Sequence, residues 1–170
     1  MISGKLEKAL NKQLNFELSS AYTYASMAAY FEHRNLNGYA HWMKLQAEEE
    51  MLHAQKLYAY INDVGGRVEF DAIPKPPGDF KSPMHVFEEV LEHERAVTKA
   101  IYKIMDLAKD ESHHATTAFL QWFVTEQVEE EKVADDILQR VKLVANSPEG
   151  TFLMDRELAQ RQKATAPKAP

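Results

Sequence analysis

GGRVEFDAIPKPPGDFK, residues 65–81, lies between two long helical patterns and is too rich in Gly and Pro to continue either of them. At about 3.3 Å per extended residue this link reaches on the order of 50 Å. The helical segments it joins, at about 28 residues and 1.5 Å per residue, are roughly 42 Å long. The link can therefore cross a whole helix, so the segments on its two sides can run parallel. The other connections are short: Asn35-Leu36-Asn37, and a turn near Glu111. Turns of about three residues force antiparallel neighbours. The predicted fold is all-α, a four-helix bundle made of two antiparallel hairpins, one long crossover and a short fifth helix near the C-terminus.

The segments themselves read as follows. Over residues 4–34, Leu6, Leu10, Leu14, Ala21, Tyr24, Ala28 and Phe31 form one apolar stripe at helical spacing. The second helix, 37–64, carries Met43, Ala47, Ala54, Leu57, Ile61 and Val64, and stops at Gly65-Gly66. Ser82 can cap a third, 83–110, with Pro83 at its first position and Phe87, Val90, Val97, Ile101 and Ile104 inside. Ser112 is the predicted cap of a fourth, 112–145, with Leu120, Val124, Ala134, Ile137 and Val141 inside. Ser147-Pro148-Glu149 signals the fifth, 148–160, and 164–170 reads as a loose tail. The whole chain, 1–170, is expected to form a single domain.

Composition narrows the chemistry. The 170 residues are 45% hydrophobic and 27% charged, with a net charge of -6 spread in mixed runs, which leaves no basic footprint for nucleic acid. No stretch approaches the ~20 apolar residues of a membrane span, and Met1 to Leu10 lacks the apolar core of a signal peptide, so the expected location is the cytoplasm. The absence of cysteine excludes disulfides, thiol catalysis, iron–sulfur clusters and cysteine-ligated zinc. A metal site must use oxygen and imidazole.

Acidic residues interrupt the apolar stripes at matching heights. Glu17 falls between Leu14 and Ala21, Glu50 and His53 between Ala47 and Leu57, Glu94 between Leu91 and Val97, and Gln127 and Glu130 after Val124. Residues three apart share a helical face, so Glu50 with His53, and Gln127 with Glu130, can each address one ion. Any one of these alone reads as the solvated edge of a stripe. Four polar breaks at one height on four helices read as a shared cation site, because several buried carboxylates need compensation. Carboxylates with imidazole and no thiolate suit iron or manganese, and Glu50 is placed to bridge two ions. The run Glu126, Glu129, Glu130 and Glu131, facing Glu48 and Glu49, reads either as a third cation position or as a solvated acidic surface. Tyr24 and Trp122 read first as packing residues.

With Ala40-His41-Trp42-Met43, Glu49-Glu50-Met51-Leu52-His53, Gly65-Gly66-Arg67-Val68 and the stretch FLQWFVTEQVEEE at 119–131, the sequence resembles the bacterial and archaeal non-haem ferritins over nearly its whole length. The resemblance implies the ferritin-like bundle, a first iron site from Glu17, Glu50 and His53, and a second from Glu50, Glu94 and Glu130 with Gln127 beside it. It implies a third iron at Glu49, Glu126, Glu129 and Glu130, and Tyr24 as an electron donor. It also implies an octahedral shell of two dozen identical subunits, with the fifth helices around its four-fold axes. Gln127-x-x-Glu130 stands where bacterioferritins have a second Glu-x-x-His, and no rubredoxin-type cysteines are present. Met51 occupies the position of the bacterioferritin haem ligand, but haem-free relatives share it, so no haem is expected. The acidic channel residues of animal heavy-chain ferritins would align with Thr117 and Leu120, so that entry route does not carry over.

The function so implied is iron storage. Fe(II) is oxidised by O2 or H2O2 at a di-iron centre, and ferric oxyhydroxide collects inside the shell. The same residues leave two other readings open: a di-iron or manganese oxygenase or peroxide scavenger without storage, and a non-catalytic helical bundle with solvated acids.

Overall fold

The computed structural model describes residues 2–163; the tail expected at 164–170 lies outside them. Five helices form, α1 (Gly4–His33), α2 (Asn37–Asp63), α3 (Pro83–Asp110), α4 (His114–Val144) and α5 (Pro148–Leu158), and there is no strand among the described residues. None of the helices is long and apolar enough to cross a membrane.

Their ends follow from local chemistry. Ser3, Ser82 and Ser147 each accept a hydrogen bond from a first-turn backbone N–H, of Leu6, His85 and Gly150 respectively, and Pro83 and Pro148 follow their caps. Helices α1, α2 and α3 stop in one way. A left-handed residue (Asn35, Gly65 or Ser112) is followed by an N–H that reaches back to the carbonyl of Phe31, Ile61 or Ala108. That motif corrects the expected start of the fourth helix. Ser112, at φ 54°, closes α3 instead of capping α4, and His113 caps α4 by accepting from Thr116 N–H. The two-residue delay is the space needed to end one helix before the next begins.

The long link is tied to α1. Asn11 donates to Arg67 O at 2.8 Å and accepts from Glu69 N at 2.8 Å. One turn on, Asn15 donates to Glu69 O at 2.9 Å and accepts from Asp71 N at 2.8 Å. Further along, the Ser26 hydroxyl donates to Pro77 O, and Phe80 packs edge-on against Tyr30. The link thus climbs α1 from its N-terminal half towards its C-terminus and delivers α3 to the end where α2 began. α2 and α3 therefore run parallel, each beside an antiparallel partner: α1 packs along α2, and α3 along α4.

The core falls into two apolar bodies. One contains Leu6, Leu10, Leu14, Leu57, Ile61, Val97, Ile101, Leu120 and Phe123. The other contains Tyr24, Ala28, Phe31, Tyr39, Met43, Phe87, Val90, Ile137 and Val141. Most stripe residues take part, but Ala47, Val64 and Val124 are only half-buried, and Phe123 and Leu138 fill the inner face of α4. Between the two bodies lies the layer that holds Glu17, Glu50, His53, Glu94, Gln127 and Glu130.

Helix α5 folds back onto the start of α2. Leu36 offers α2 no side-chain cap, and Asp155 Oδ1 takes that place, accepting from Gly38 N at 2.7 Å and Tyr39 N at 3.1 Å. A Cβ at Gly38 would lie 1.7 Å from the Asp155 carbonyl oxygen, so only glycine lets the two backbones meet.

Candidate metal centre

Each helix of the bundle delivers its polar residue into the dry layer between the two apolar bodies. Glu17, Glu50, His53, Glu94 and Gln127 are at most 4% exposed, and Glu130 is 8% exposed. Ligand atoms of Glu17, Glu50 and His53 lie within 4.8 Å of one another. A second such group is His53, Glu126 and Glu130, so His53 is common to both. These are the only two groups of that kind among the described residues. The expected trio of Glu50, Glu94 and Glu130 is not among the groups that close to this spacing, and Glu94 is held by other side chains. It accepts from the Tyr24 hydroxyl and, at 3.3 Å, from the Gln127 amide.

The third-position residues are also divided. Glu126 joins His53 and Glu130 and is half-buried, whereas Glu129 is exposed. Glu49 is paired with Arg161 at 2.5 Å. Glu131 accepts from Thr98 at 2.5 Å and is therefore committed to the α3–α4 contact.

The electrostatics of the layer are those of crowded, buried acids. Burial, followed by the charge of Glu50, pushes the Glu17 carboxyl well above the ordinary carboxylate range. Burial and then Glu94 raise Glu50 in the same way, and bring Glu130 to about 7. Burial also raises Glu126. Glu17 Oε2 and Glu50 Oε2 are buried without a hydrogen-bond donor, while Glu50 Oε2 stands 3.3 Å from His53 Nδ1. Groups that repel one another in a dry space either take up protons or take up a cation, and lone pairs without donors are free for coordination. All-oxygen ligands with one imidazole fit Fe or Mn.

Several residues of this layer escaped sequence reasoning. Gln13 donates to Glu17 Oε1 at 2.8 Å, and Gln46 to Glu130 Oε2 at 2.8 Å. With Gln127 on Glu94, three amides each hold one carboxylate, and Glu50 alone has none. A signal was present: Gln13 and Gln46 each stand one turn before a ligand candidate, on the same helical face. Ser20 hydrogen-bonds His93 Nε2 at 2.7 Å, and the His93 ring packs edge-on to Tyr24. Tyr24 is thus both packing residue and hydrogen-bond donor, and burial, then Glu94, raises its phenol further. Trp122 packs edge-on against the His53 ring at 5.5 Å.

Other residues fall outside the layer. Met51 is 41% exposed on the outer face of α2, beside an open hollow of about 770 Å³ lined by Leu18, Ala21, Tyr22 and Ile73. Leu120 is fully buried and Thr117 half-buried.

Comparison with known proteins agrees with the fold. Residues 7–144 match the ferritin-like domain family model. A bacterial non-heme ferritin of Bacteroides fragilis is 44% identical over 161 residues, 95% of this chain and 100% of that protein. One from Staphylococcus aureus is 37% identical, over 95% of this chain and 97% of that protein. Among solved structures, an open pore ferritin from the hyperthermophilic archaeon Archaeoglobus fulgidus superposes with a TM-score of 0.94 at 44% identity, covering 95% of this chain and 99% of that one. A humanized archaeal ferritin gives 0.95 at 42% identity, over 97% and 100%. With the family model matched over residues 7–144 and relatives up to 44% identical over 95% of its length, the chain belongs to the ferritin family.

Proposed function

We propose that this chain is the subunit of a cytoplasmic iron-storage shell, two dozen copies in octahedral arrangement, that oxidises Fe(II) before storing it. The reading is carried by one observation: four helices bring Glu17, Glu50, His53, Glu94 and Glu130 into one buried layer in which two carboxylate oxygens have no donor. Iron is here both substrate and cargo. Glu17, Glu50 and His53 take the first Fe(II), and Glu50, Glu94 and Glu130 the second, after Glu94 turns from Tyr24 towards Glu50. Glu50, the one carboxylate without an amide donor, is free to serve both ions.

The residues then act by charge and position. Two Fe(II) release one electron each to dioxygen, which with two protons leaves as hydrogen peroxide. Hard anionic oxygen favours the ferric product, and water hydrolyses it to oxyhydroxide with release of protons. Glu130, whose carboxyl titrates near neutrality, is suited to give up its proton as iron arrives and to regain it as the product leaves. With a third Fe(II) at the outer position, three Fe(II) and Tyr24 would together supply the four electrons that, with four protons, take dioxygen to two waters instead, the Tyr24 phenol beside Glu94 losing its proton as it is oxidised. Glu126, Glu129 and Glu49, outside the pair, form the path or third position on the side shared with His53.

Anaerobic loading with Fe(II) followed by air tests the proposal, with particle size measured before and after. The expected result is a large particle that takes up Fe(II) in fixed ratio, oxidises it faster than buffer does, and gains a mineral core. Oxidation without a core in a small particle would favour an oxygenase or peroxide scavenger, and no stoichiometric uptake would leave a bundle without this chemistry.

A further inference from the structure

We infer that Arg161 acts as a built-in cation at the outer carboxylate position, and that a metal ion using Glu49 must displace it and free residues 160–163 from α2. The inference rests on the metal-site reading above and adds what regulates its outer part. Arg161 Nη2 lies 2.5 Å from Glu49 Oε2, with the two side chains only 19% and 13% exposed. Its other terminal nitrogen donates to Trp42 O at 3.1 Å, and its guanidinium lies over the Trp42 ring at 4.5 Å. The Arg161 carbonyl meets His41 Nε2 at 2.9 Å, and Lys163 pairs with Glu48 at 2.6 Å. One side chain therefore both neutralises Glu49 and holds the segment after α5 against α2.

Glu49 is electrically part of the centre. After burial and Arg161, the charges that act on it most are His53 and Glu129, and Glu49 in turn acts on Glu126 and Glu130. Arginine keeps its charge at any working pH, so Glu49 cannot be freed by deprotonating its partner. A metal ion and the guanidinium compete for the same carboxylate. By linkage, occupancy of the outer position loosens the segment, and a docked segment weakens that occupancy by the same factor.

The test uses Zn²⁺ as a redox-inert probe on the assembled full-length protein, with calorimetry resolving a tighter and a weaker class of ions. In Arg161→Gln the weaker class should bind about tenfold tighter, as expected when a partly buried charge-assisted pair no longer opposes it. Trp42 reports release of the guanidinium without any need for that variant. In Trp122→Phe, which leaves Trp42 as the single tryptophan, its emission should shift as the weaker class fills. Affinity within twofold of the parent protein in Arg161→Gln, or Trp42 emission that stays constant while the weaker class fills, would overturn the inference. Failure of the underlying reading looks different: the tighter class would be absent, or would survive Glu50→Ala.

Discussion

Gln46 on α2 donates its side-chain amide to Glu130 Oε2 on α4 at 2.8 Å, deep in the layer between the two apolar bodies, and its own Oε1 meets no donor. An amide that donates to a carboxylate favours the ionised form, so Gln46 holds Glu130 below where burial alone would leave it. Gln46→Leu should push Glu130 further above about 7 and move the pH midpoint of Fe(II) oxidation upward by about one unit, given the strength of a hydrogen bond to a charged group. A pH–rate profile that superimposes on that of the parent protein would show that the amide only fills space.

Burial of the acids also sets the stability of the metal-free protein. A carboxyl whose pKa is raised on folding binds more protons in the native state than in the unfolded chain between the two values, so stability falls as pH rises through that window. For Glu130 the window runs from the ordinary 4.5 to about 7 and is worth roughly 3 kcal/mol, while Glu17 and Glu50 act in the same direction. The thermal midpoint of the apo protein should therefore drop from pH 5 to pH 7.5, and Zn²⁺ should restore it at the upper end. Glu50→Gln should flatten the profile. An apo protein that becomes more stable over that range contradicts the assignment.

The sequence shows the helices and the height of the polar layer clearly, because both depend on local spacing: a stripe every three or four residues, a break in it, and Gly or Pro at the ends. The pairing of side chains within the layer does not follow from spacing. Glu94 is turned by Tyr24, 70 residues away, and Glu49 by Arg161, 112 residues away. The start of α4 differs from expectation for a related reason: serine is a favoured N-cap and a rare left-handed residue, yet Ser112 takes φ 54° to close α3. Only the geometry of the preceding helix end decides between the two.

The contact between α5 and α2 gives a prediction at one glycine. Gly38→Ala places a methyl group 1.7 Å from a backbone oxygen, which no rotamer change can relieve, so α5 must move and Asp155 must leave the start of α2. Loss of the cap alone is worth about 1–2 kcal/mol, and loss of the Met154 and Leu158 burial adds to it. Asp155→Ala should show the first part without the second. Hydrogen exchange over residues 148–158 should rise to that of an undocked helix in Gly38→Ala, and less in Asp155→Ala. Equal protection in the two variants would mean that close backbone approach is not what holds α5.

The last prediction concerns the crossover, which sets the direction of α3 and hence the arrival of Glu94. Asn11 and Asn15 each present an amide that pairs with the link as a neighbouring strand would, one donor and one acceptor per residue. The Asn11 side chain is only 7% exposed and its two bonds to the link are part-buried, so Asn11→Leu removes the partners of Arg67 O and Glu69 N at a site water reaches only in part. That should lower stability by about 1–3 kcal/mol. The Asn15 pairs are exposed, and so is the Ser26 bond to Pro77 O at 2.6 Å, so water can replace them. Asn15→Ala should cost less than Asn11→Leu, and Ser26→Ala close to nothing. Urea midpoints of the three variants, with amide exchange at Glu69 and Asp71, check the order directly. If Ser26→Ala proved as damaging as Asn11→Leu, the link would be held by packing along its whole length and not by the two asparagines. If Asn11→Leu speeds exchange at Glu69 while Fe(II) oxidation slows, the crossover hydrogen bonds are coupled to the position of Glu94 through the start of α3.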